Sequence, residues 1–164
     1  MKKLSFLSLI FVLFLCTACP YESKVAVGEA IAVDESLIGK WKADANLQDF
    51  VEIRKADGKN YVIVENTHNK NDNSFSQREY AAFFAEVEGT KYLNVKVTKS
   101  DQKGLTPKGF FLYKFEKTGE GFKIAAVTEN IKESFTSSAD LKGFISKNQN
   151  LSFFFEKEVS YKKN

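Results

Sequence analysis

Short apolar runs, separated at regular intervals by turn-forming residues, constrain the fold of this chain more than any other feature. Within one run, Leu93, Val95 and Val97 share a face, as alternation in a half-buried strand requires. Asp57-Gly58 separates two runs and favours a hairpin, because its turn needs positive φ. The spacing predicts a mostly β fold of about eight antiparallel strands in a small barrel or sandwich. The candidate strands are Leu37–Ala43, Phe50–Lys55, Tyr61–Asn66, Arg78–Glu88, Tyr92–Thr98, Phe110–Glu116, Phe122–Thr128 and Leu151–Lys157.

One short helix is predicted before the last of these runs. Ser137–Asp140 is typical of an N-terminal cap, and Leu141, Phe144 and Ile145 recur at helical spacing. We expect the helix to end at about Asn148 and to pack its apolar stripe against the sheet.

Length, composition and charge suit one domain with an aromatic core. The chain has 164 residues, including 16 Phe, 6 Tyr and 1 Trp. Aromatic residues favour strands and bury large apolar areas. The formal net charge is +3, of which Lys2 and Lys3 contribute two. A chain this close to neutral gives no case for a nucleic-acid partner, since such proteins usually carry a basic patch.

The first twenty residues have the pattern of a secretory signal. Met1–Lys3 is positively charged, Leu4–Leu15 is an apolar run, and small residues follow it. A helix over that run spans about 18 Å, which is short of the ~30 Å hydrocarbon core of a bilayer. We therefore expect residues 1–18 to be removed as a signal peptide and not to form a permanent membrane span.

Leu15–Cys19 resembles the lipobox of bacterial lipoproteins, in which two small residues precede a cysteine. Thr17 and Ala18 match that pattern, whereas Cys16 stands where leucine is the usual residue. The resemblance implies that Cys19 receives diacylglycerol, that signal peptidase II cuts before it, and that its new amine is acylated. Two or three acyl chains would then hold the protein at a membrane. Ordinary signal cleavage that leaves a free Cys19 is the alternative.

Residues 19–36 are expected to form the lipidated N-terminus and a tether. The segment 20–36 mixes small, acidic and isolated apolar residues without a clear period. We predict a mostly extended linker here, followed by a β-rich domain over residues 37–164. The alternative is that Val25–Val33 pairs with that domain as an edge strand.

Gly39-Lys40-Trp41 resembles the Gly-x-Trp signature on the first strand of lipocalins and related calycin barrels. The resemblance implies an eight-stranded barrel in which Trp41 plugs the closed end and an apolar ligand lies inside. In that family an arginine covers the tryptophan, and no equivalent arginine can be assigned in this sequence. The predicted helix also departs from the family order, in which the helix follows the eighth strand. Trp41 as an ordinary core residue is the alternative.

Bacterial lipocalins include lipid-anchored outer-membrane proteins, which agrees with lipidation at Cys19. The resemblance therefore favours the cell envelope, and within it the outer membrane, on its periplasmic or its surface face.

Three stretches carry apolar side chains on both strand faces, namely Tyr80–Phe84, Gly109–Tyr113 and Phe153–Phe155. Either a helix or the tether covers the outer face, or these stretches line a ligand cavity or bind a partner. For a ligand cavity, the candidate lining residues are Trp41, Phe111, Tyr113, Phe153 and Phe155.

Catalytic and metal-binding patterns are weak. His68 is the only histidine and lies in a predicted polar loop, Asn66–Gln77, with no nucleophile motif beside it. Asn69–Tyr80 lacks the glycine and the glutamate that a calcium loop needs at its sixth and twelfth positions. Glu86 and Glu88 share a strand face, where exposed glutamates are ordinary. We predict no enzymatic activity, no metal and no cofactor.

These observations favour a lipid-anchored, non-enzymatic protein that binds a small apolar molecule or lipid in a β-barrel cavity. Its predicted partners are the membrane, through the acyl chains on Cys19, and that ligand. The alternative is a protein-interaction module that holds an envelope protein, in which Tyr80–Phe84 would face outward. A hydrolase that uses carboxylates would need two acidic residues in one cleft.

Overall fold

Antiparallel strands make up most of the computed structural model, which describes residues 20–44, 46–100 and 109–164. The chain also forms a short 3-10 helix, Glu35–Leu37, and one α-helix, α1, Ser138–Asn148. The strands are β1 (Glu22–Ser23), β2 (Gly39–Ala43), β3 (Asn46–Lys55), β4 (Tyr61–Asn69), β5 (Ser74–Val87), β6 (Thr90–Ser100), β7 (Phe110–Lys117), β8 (Gly121–Ala126) and β9 (Val159–Lys163).

Strands β2 to β9 form a closed barrel. From β2 to β9, each strand pairs with the next one in the chain. The last strand, β9, also pairs with β2, and this pairing closes the barrel. In this register Trp41 faces Val51 on one side and Lys163 on the other. Closure removes free sheet edges. The mostly β fold predicted from the sequence is confirmed, and of the two predicted architectures the barrel is the one observed.

Alternation along the strands places one apolar set inside the barrel. On β4 the inward side chains include Tyr61 and Ile63, and on β6 they include Leu93 and Val95. The opposite face of the same strands points outward. The remaining buried members of the interior cluster are Leu37, Trp41, Ile53, Ala82, Phe84, Phe115 and Phe122.

Helix α1 covers the outer face of the barrel, and its predicted position is confirmed. The Ser137 hydroxyl oxygen accepts a hydrogen bond from the Asp140 N–H at 3.1 Å, which satisfies one of the free donors of the first turn. Leu141 and Ile145 are buried against a second cluster that includes Tyr92 and Leu112. The helix therefore covers outer apolar residues of β6 and β7. This agrees with the interpretation in which a helix or the tether covers the outer face of strands that are apolar on both sides.

None of the helices in the described part of the chain is long and apolar enough to span a membrane.

The last strand lies further along the chain than the sequence predicts. Residues 151–154 form a turn, in which the Phe154 N–H donates to the Leu151 carbonyl oxygen at 3.0 Å. Of residues 151–157 only Phe155 makes a β-bridge, to Val127. The strand that closes the barrel is β9, because only a strand that begins after this turn can reach the gap between β2 and β8. The prediction of a strand over Leu151–Lys157 is wrong.

The segment 20–36, predicted as a linker, packs on the barrel. Glu22 and Ser23 pair with the start of β7, and the Ile31 N–H donates to the Phe84 carbonyl oxygen at 2.9 Å. Val27 is completely buried in the second cluster. The isolated valines of this segment therefore have sites on the domain, which makes the docked alternative the better description, although its pairing strand is Glu22–Ser23 and not Val25–Val33.

Candidate functional site

One end of the barrel is closed by a plug of Leu37 and Trp41. The 3-10 helix brings Leu37 under the strands, and the indole N–H of Trp41 donates to the Leu37 carbonyl oxygen at 2.8 Å. The Trp41 ring, only 4 % exposed, meets Phe122 edge-on at 5.0 Å between centroids. Gly39 begins β2 with a φ of 134°, which favours glycine. Trp41 is therefore a buried member of the interior cluster, held by its indole hydrogen bond and its ring contact.

A lysine covers the tryptophan plug. The Nζ atom of Lys163, at the end of β9, lies 5.5 Å from the centre of the Trp41 ring. A cation over an indole face is attracted by the negative potential of the ring. Lys163 thus places a positive charge against the tryptophan ring. The sequence could not identify it, because the contact depends on the position of β9.

Beside the plug residue Leu37 lies an apolar cavity of about 60 Å³. Its wall consists almost entirely of carbon atoms from aliphatic and aromatic side chains, so it suits an apolar occupant. Tyr161, from β9, is the member of this wall that also approaches the other end of the barrel. The complete wall is Leu37, Val51, Ile53, Tyr61, Ile63, Phe84, Leu93, Phe115, Phe122, Ile124 and Tyr161.

The other end of the barrel carries a polar cluster of Glu65, Arg78 and Tyr80, which we call the polar mouth. The register pairs Glu65 with Arg78 across β4 and β5. The Tyr80 hydroxyl donates to Glu65 Oε2 at 2.6 Å, and the Arg78 guanidinium donates to the Tyr80 oxygen at 3.2 Å. Arg78 Nη1 also lies 3.7 Å from Glu65 Oε2, with side-chain exposures of 28 % and 39 %. The cluster therefore lies where the interior meets solvent.

The charge of Glu65 reaches three inward-facing tyrosines. Burial, followed by the Glu65 carboxylate, raises the pKa values of Tyr80 and Tyr113 far above the usual range. Burial raises the pKa of Tyr161 to about 12, and the charges of Glu65 and Asp49 add to this effect. All three hydroxyls therefore stay protonated at neutral pH. They are therefore neutral groups, and the proton of the Tyr80 hydroxyl is the one donated to Glu65.

A small polar recess adjoins this cluster on its solvent side. It has a volume of about 80 Å³ and is bounded by Glu65, Thr67, Ser76, Gln77 and Arg78. Together with the apolar cavity, it gives the barrel an apolar compartment at the plugged end and a polar one at the mouth.

The residues predicted to line a ligand cavity fall into three groups. Trp41, Phe111 and Tyr113 pack in the interior cluster, around the cavity and not in its wall. Phe155 lies outside the barrel, in the second cluster, with its ring 6.4 Å from Tyr92. Phe153 is 65 % exposed. The last two are excluded from the barrel cavity because the 151–154 turn and Phe155 lie outside the barrel. Cys19 lies outside the described residues.

The residues of the polar mouth are not among those predicted from the sequence to form a site. Glu65 was assigned to a strand and Arg78 to the start of another, but their pairing depends on a register that the sequence did not provide. The alternation Tyr61, Ile63, Glu65 was the available signal, because it places a carboxylate on the inward face.

His68 lies on β4, where a loop was predicted. Its Nε2 atom is 2.8 Å from Asn73 Oδ1, and its ring is 5.3 Å from that of Phe75. Among the described residues, no three His, Cys, Asp or Glu side chains are placed to hold a metal ion.

No protein-family model, curated protein or solved structure matches this chain.

Proposed function

We propose that this protein is a lipid-anchored, non-enzymatic protein of the cell envelope that binds a small apolar ligand inside its barrel. The observation that carries the proposal is the apolar cavity inside the barrel, whose wall includes Leu37, Phe122 and Tyr161. Transfer of an apolar group from water into such a wall is favourable by about 25 cal/mol per Å² of buried area. The plug closes one end, so the ligand enters from the other.

The size of the cavity limits what it accepts without rearrangement. About 60 Å³ is less than the ~150 Å³ that holds benzene in an engineered apolar cavity. A larger ligand therefore has to displace a side chain. Tyr161 is the candidate, since it belongs to the cavity wall and its hydroxyl is close enough to Glu65 for the carboxylate to raise its pKa.

The polar mouth suits a ligand with one polar end. Arg78 provides positively charged hydrogen-bond donors and Glu65 provides an acceptor. The protonated Tyr80 hydroxyl bridges them. A molecule whose apolar part enters past Tyr161 would leave its polar part beside these groups. The proposed ligand class is thus a small amphipathic molecule or the end of a lipid chain.

Membrane attachment is proposed from the sequence. Leu15–Cys19 has the lipobox pattern, with Cys19 as the acylated residue and the outer membrane as the favoured site. Two acyl chains give stable attachment, whereas one gives only marginal binding.

The test uses the full chain, purified in mild detergent from the cells that make it and measured by native mass spectrometry. Ile63→Phe fills the cavity from β4, and Val62→Phe adds the same bulk to the outer face of the same strand. We expect a co-purified apolar molecule with the wild type and Val62→Phe, and its loss with Ile63→Phe. A bare acylated protein in all three samples, or equal retention by both variants, would contradict the ligand proposal.

The alternative function, a protein-interaction module, stays a prediction. It places Tyr80–Phe84 on the outer surface, whereas Tyr80, Ala82 and Phe84 face the interior. Only the intervening positions point outward, and Phe83 there packs on Phe110 at 6.1 Å. Crosslinking of the anchored protein in intact cells would test for a partner on other surfaces.

A further inference from the structure

The backbone at Tyr21 is fixed to the barrel. Its N–H donates to the Val127 carbonyl oxygen at 3.0 Å, and its hydroxyl donates to the Glu133 carbonyl oxygen at 3.0 Å. The Tyr21 side chain is buried in the second cluster, and β1 follows it directly. The chain is therefore an integral part of the fold from this residue onward.

Cys19 precedes Tyr21 by two residues. Even fully extended, that backbone spans only about 7 Å. Lipid on Cys19, which is part of the proposed function and on which this inference rests, would therefore hold the surface around Tyr21 against the bilayer. A domain on a flexible linker of seventeen residues would be free to turn away from the membrane, whereas this one is not.

Exposed apolar side chains lie beside this attachment point. The Thr128 N–H donates to the Phe154 carbonyl oxygen at 3.0 Å, which joins the 151–154 turn to the segment that holds Tyr21. Phe154 itself is buried in the same cluster as Tyr21. Three large apolar side chains are strongly exposed in the described part of the chain, and two of them are in this turn. They are Leu151 at 41 % and Phe153 at 65 %, and the third is Phe75 at 48 %.

We propose that the 151–154 turn docks on the lipid bilayer to which Cys19 is anchored, with Phe153 and Leu151 inserted at the interface. Aromatic and aliphatic side chains gain by leaving water for the boundary between headgroups and acyl chains. Tyr21 is fixed to the barrel, so the anchor already restricts the orientation of the domain. Docking of the turn therefore costs little additional entropy. This assigns a role to the exposed Phe153, whereas Phe154 and Phe155 pack in the second cluster.

The test places a fluorescent reporter on the turn. Full-length protein is reconstituted in vesicles of phosphatidylethanolamine and phosphatidylglycerol, with ordinary or brominated acyl chains. Phe153→Trp adds a tryptophan at the turn, and Phe75→Trp is the matched control at another exposed phenylalanine, which packs on Phe50 and His68 instead. Trp41 is buried in the plug, so the wild type gives the background emission. Mass spectrometry of the same samples measures acylation of Cys19.

Brominated lipids should remove most of the emission added by Phe153→Trp and leave that of Phe75→Trp unchanged. Retained emission from Phe153→Trp on acylated protein would overturn the docking proposal and leave the anchor intact. Equal quenching of both variants would overturn it as well, since the bilayer would then not favour this turn. Protein with no acyl chain on Cys19 would overturn the anchor first and the docking with it, and the mass distinguishes that failure from the others.

Discussion

The side chain of Asn94 binds the backbone of Val27 through both of its polar atoms. Asn94 Oδ1 accepts from the Val27 N–H at 2.8 Å, and Asn94 Nδ2 donates to the Val27 carbonyl oxygen at 3.2 Å. Both residues are completely buried, so water cannot replace either bond. An amide is suited to this site because it carries a donor and an acceptor side by side. The pair joins the N-terminal segment to the outer face of β6.

Asn94→Ala should therefore release this segment. The substitution leaves a buried N–H and a buried carbonyl without partners, at about 1–3 kcal/mol for each group. We expect a total loss of about 2–5 kcal/mol in urea unfolding, together with faster hydrogen exchange at the Val27 amide. Lys91→Ala, at an exposed position of the same strand, should change neither quantity. Unchanged exchange at Val27 in Asn94→Ala would contradict the proposed connection.

Lys163→Met should weaken the plug. It keeps most of the aliphatic length and removes the charge above Trp41, a contact that contributes about 0.5–1 kcal/mol at a partly exposed site. Lys163→Arg should retain the contact, because a guanidinium also stacks on indole. Lys162→Met is the control, since that side chain pairs with Asp44 at 3.6 Å and not with the indole. Thermal unfolding followed by tryptophan fluorescence measures the difference, and equal losses for Met at both positions would argue against it.

Leu93→Ala should enlarge the apolar cavity. Leu93 is part of its wall, and truncation of a buried leucine costs about 2–5 kcal/mol because the space left behind is only partly refilled. The larger cavity should bind benzene, detected by shifts of nearby methyl signals in NMR and by a rise in the melting temperature. Leu93→Val, a smaller truncation, should bind more weakly and serves if the alanine variant unfolds. No benzene response in either variant would show that the interior collapses on truncation.

Alkaline pH should unfold the protein by ionising buried tyrosines. The pKa values of all six tyrosines lie above the usual 10, chiefly through burial, and that of Tyr161 is about 12. A raised folded-state pKa means that stability is fully present below pH 10 and is lost as pH rises toward 12 and beyond. The absorbance of tyrosinate should therefore rise together with the loss of β-sheet circular dichroism. A smooth titration centred on pH 10 in folded protein would disagree with this burial.

Local sequence patterns predicted most elements of the barrel, because strand alternation and turn formation depend on residues that are close together in the sequence. Leu93, Val95 and Val97 face one side as expected, and the helix begins and ends where its cap and spacing indicate. The last strand was misplaced because Phe153–Phe155 has a stronger strand preference than Val159–Lys163. Val159–Lys163 is the last strand because it fills the gap between β2 and β8. That gap is a property of the closed barrel and not of either segment.

The candidate site was less predictable, because it depends on which strands meet. The sequence predicted a position for Trp41 on the first barrel strand, but Lys163 reaches its ring only through the pairing of β2 with β9. Glu65 and Arg78 both lie in expected strands, but they form the mouth only because the register of β4 on β5 pairs them. The docking of residues 20–36 likewise could not be predicted from the sequence. It depends on Asn94, and nothing in the sequence indicates that the Asn94 side chain binds the backbone of Val27.

Strand β9 gives the folding process a fixed order. Until residue 163 has left the ribosome, β2 and β8 each present an unpaired row of backbone groups, and the nascent chain cannot form its closed structure. Contacts across so long a stretch of chain also form slowly. Pairing of β9 with both strands therefore completes the barrel and covers two edges that could otherwise pair with another chain.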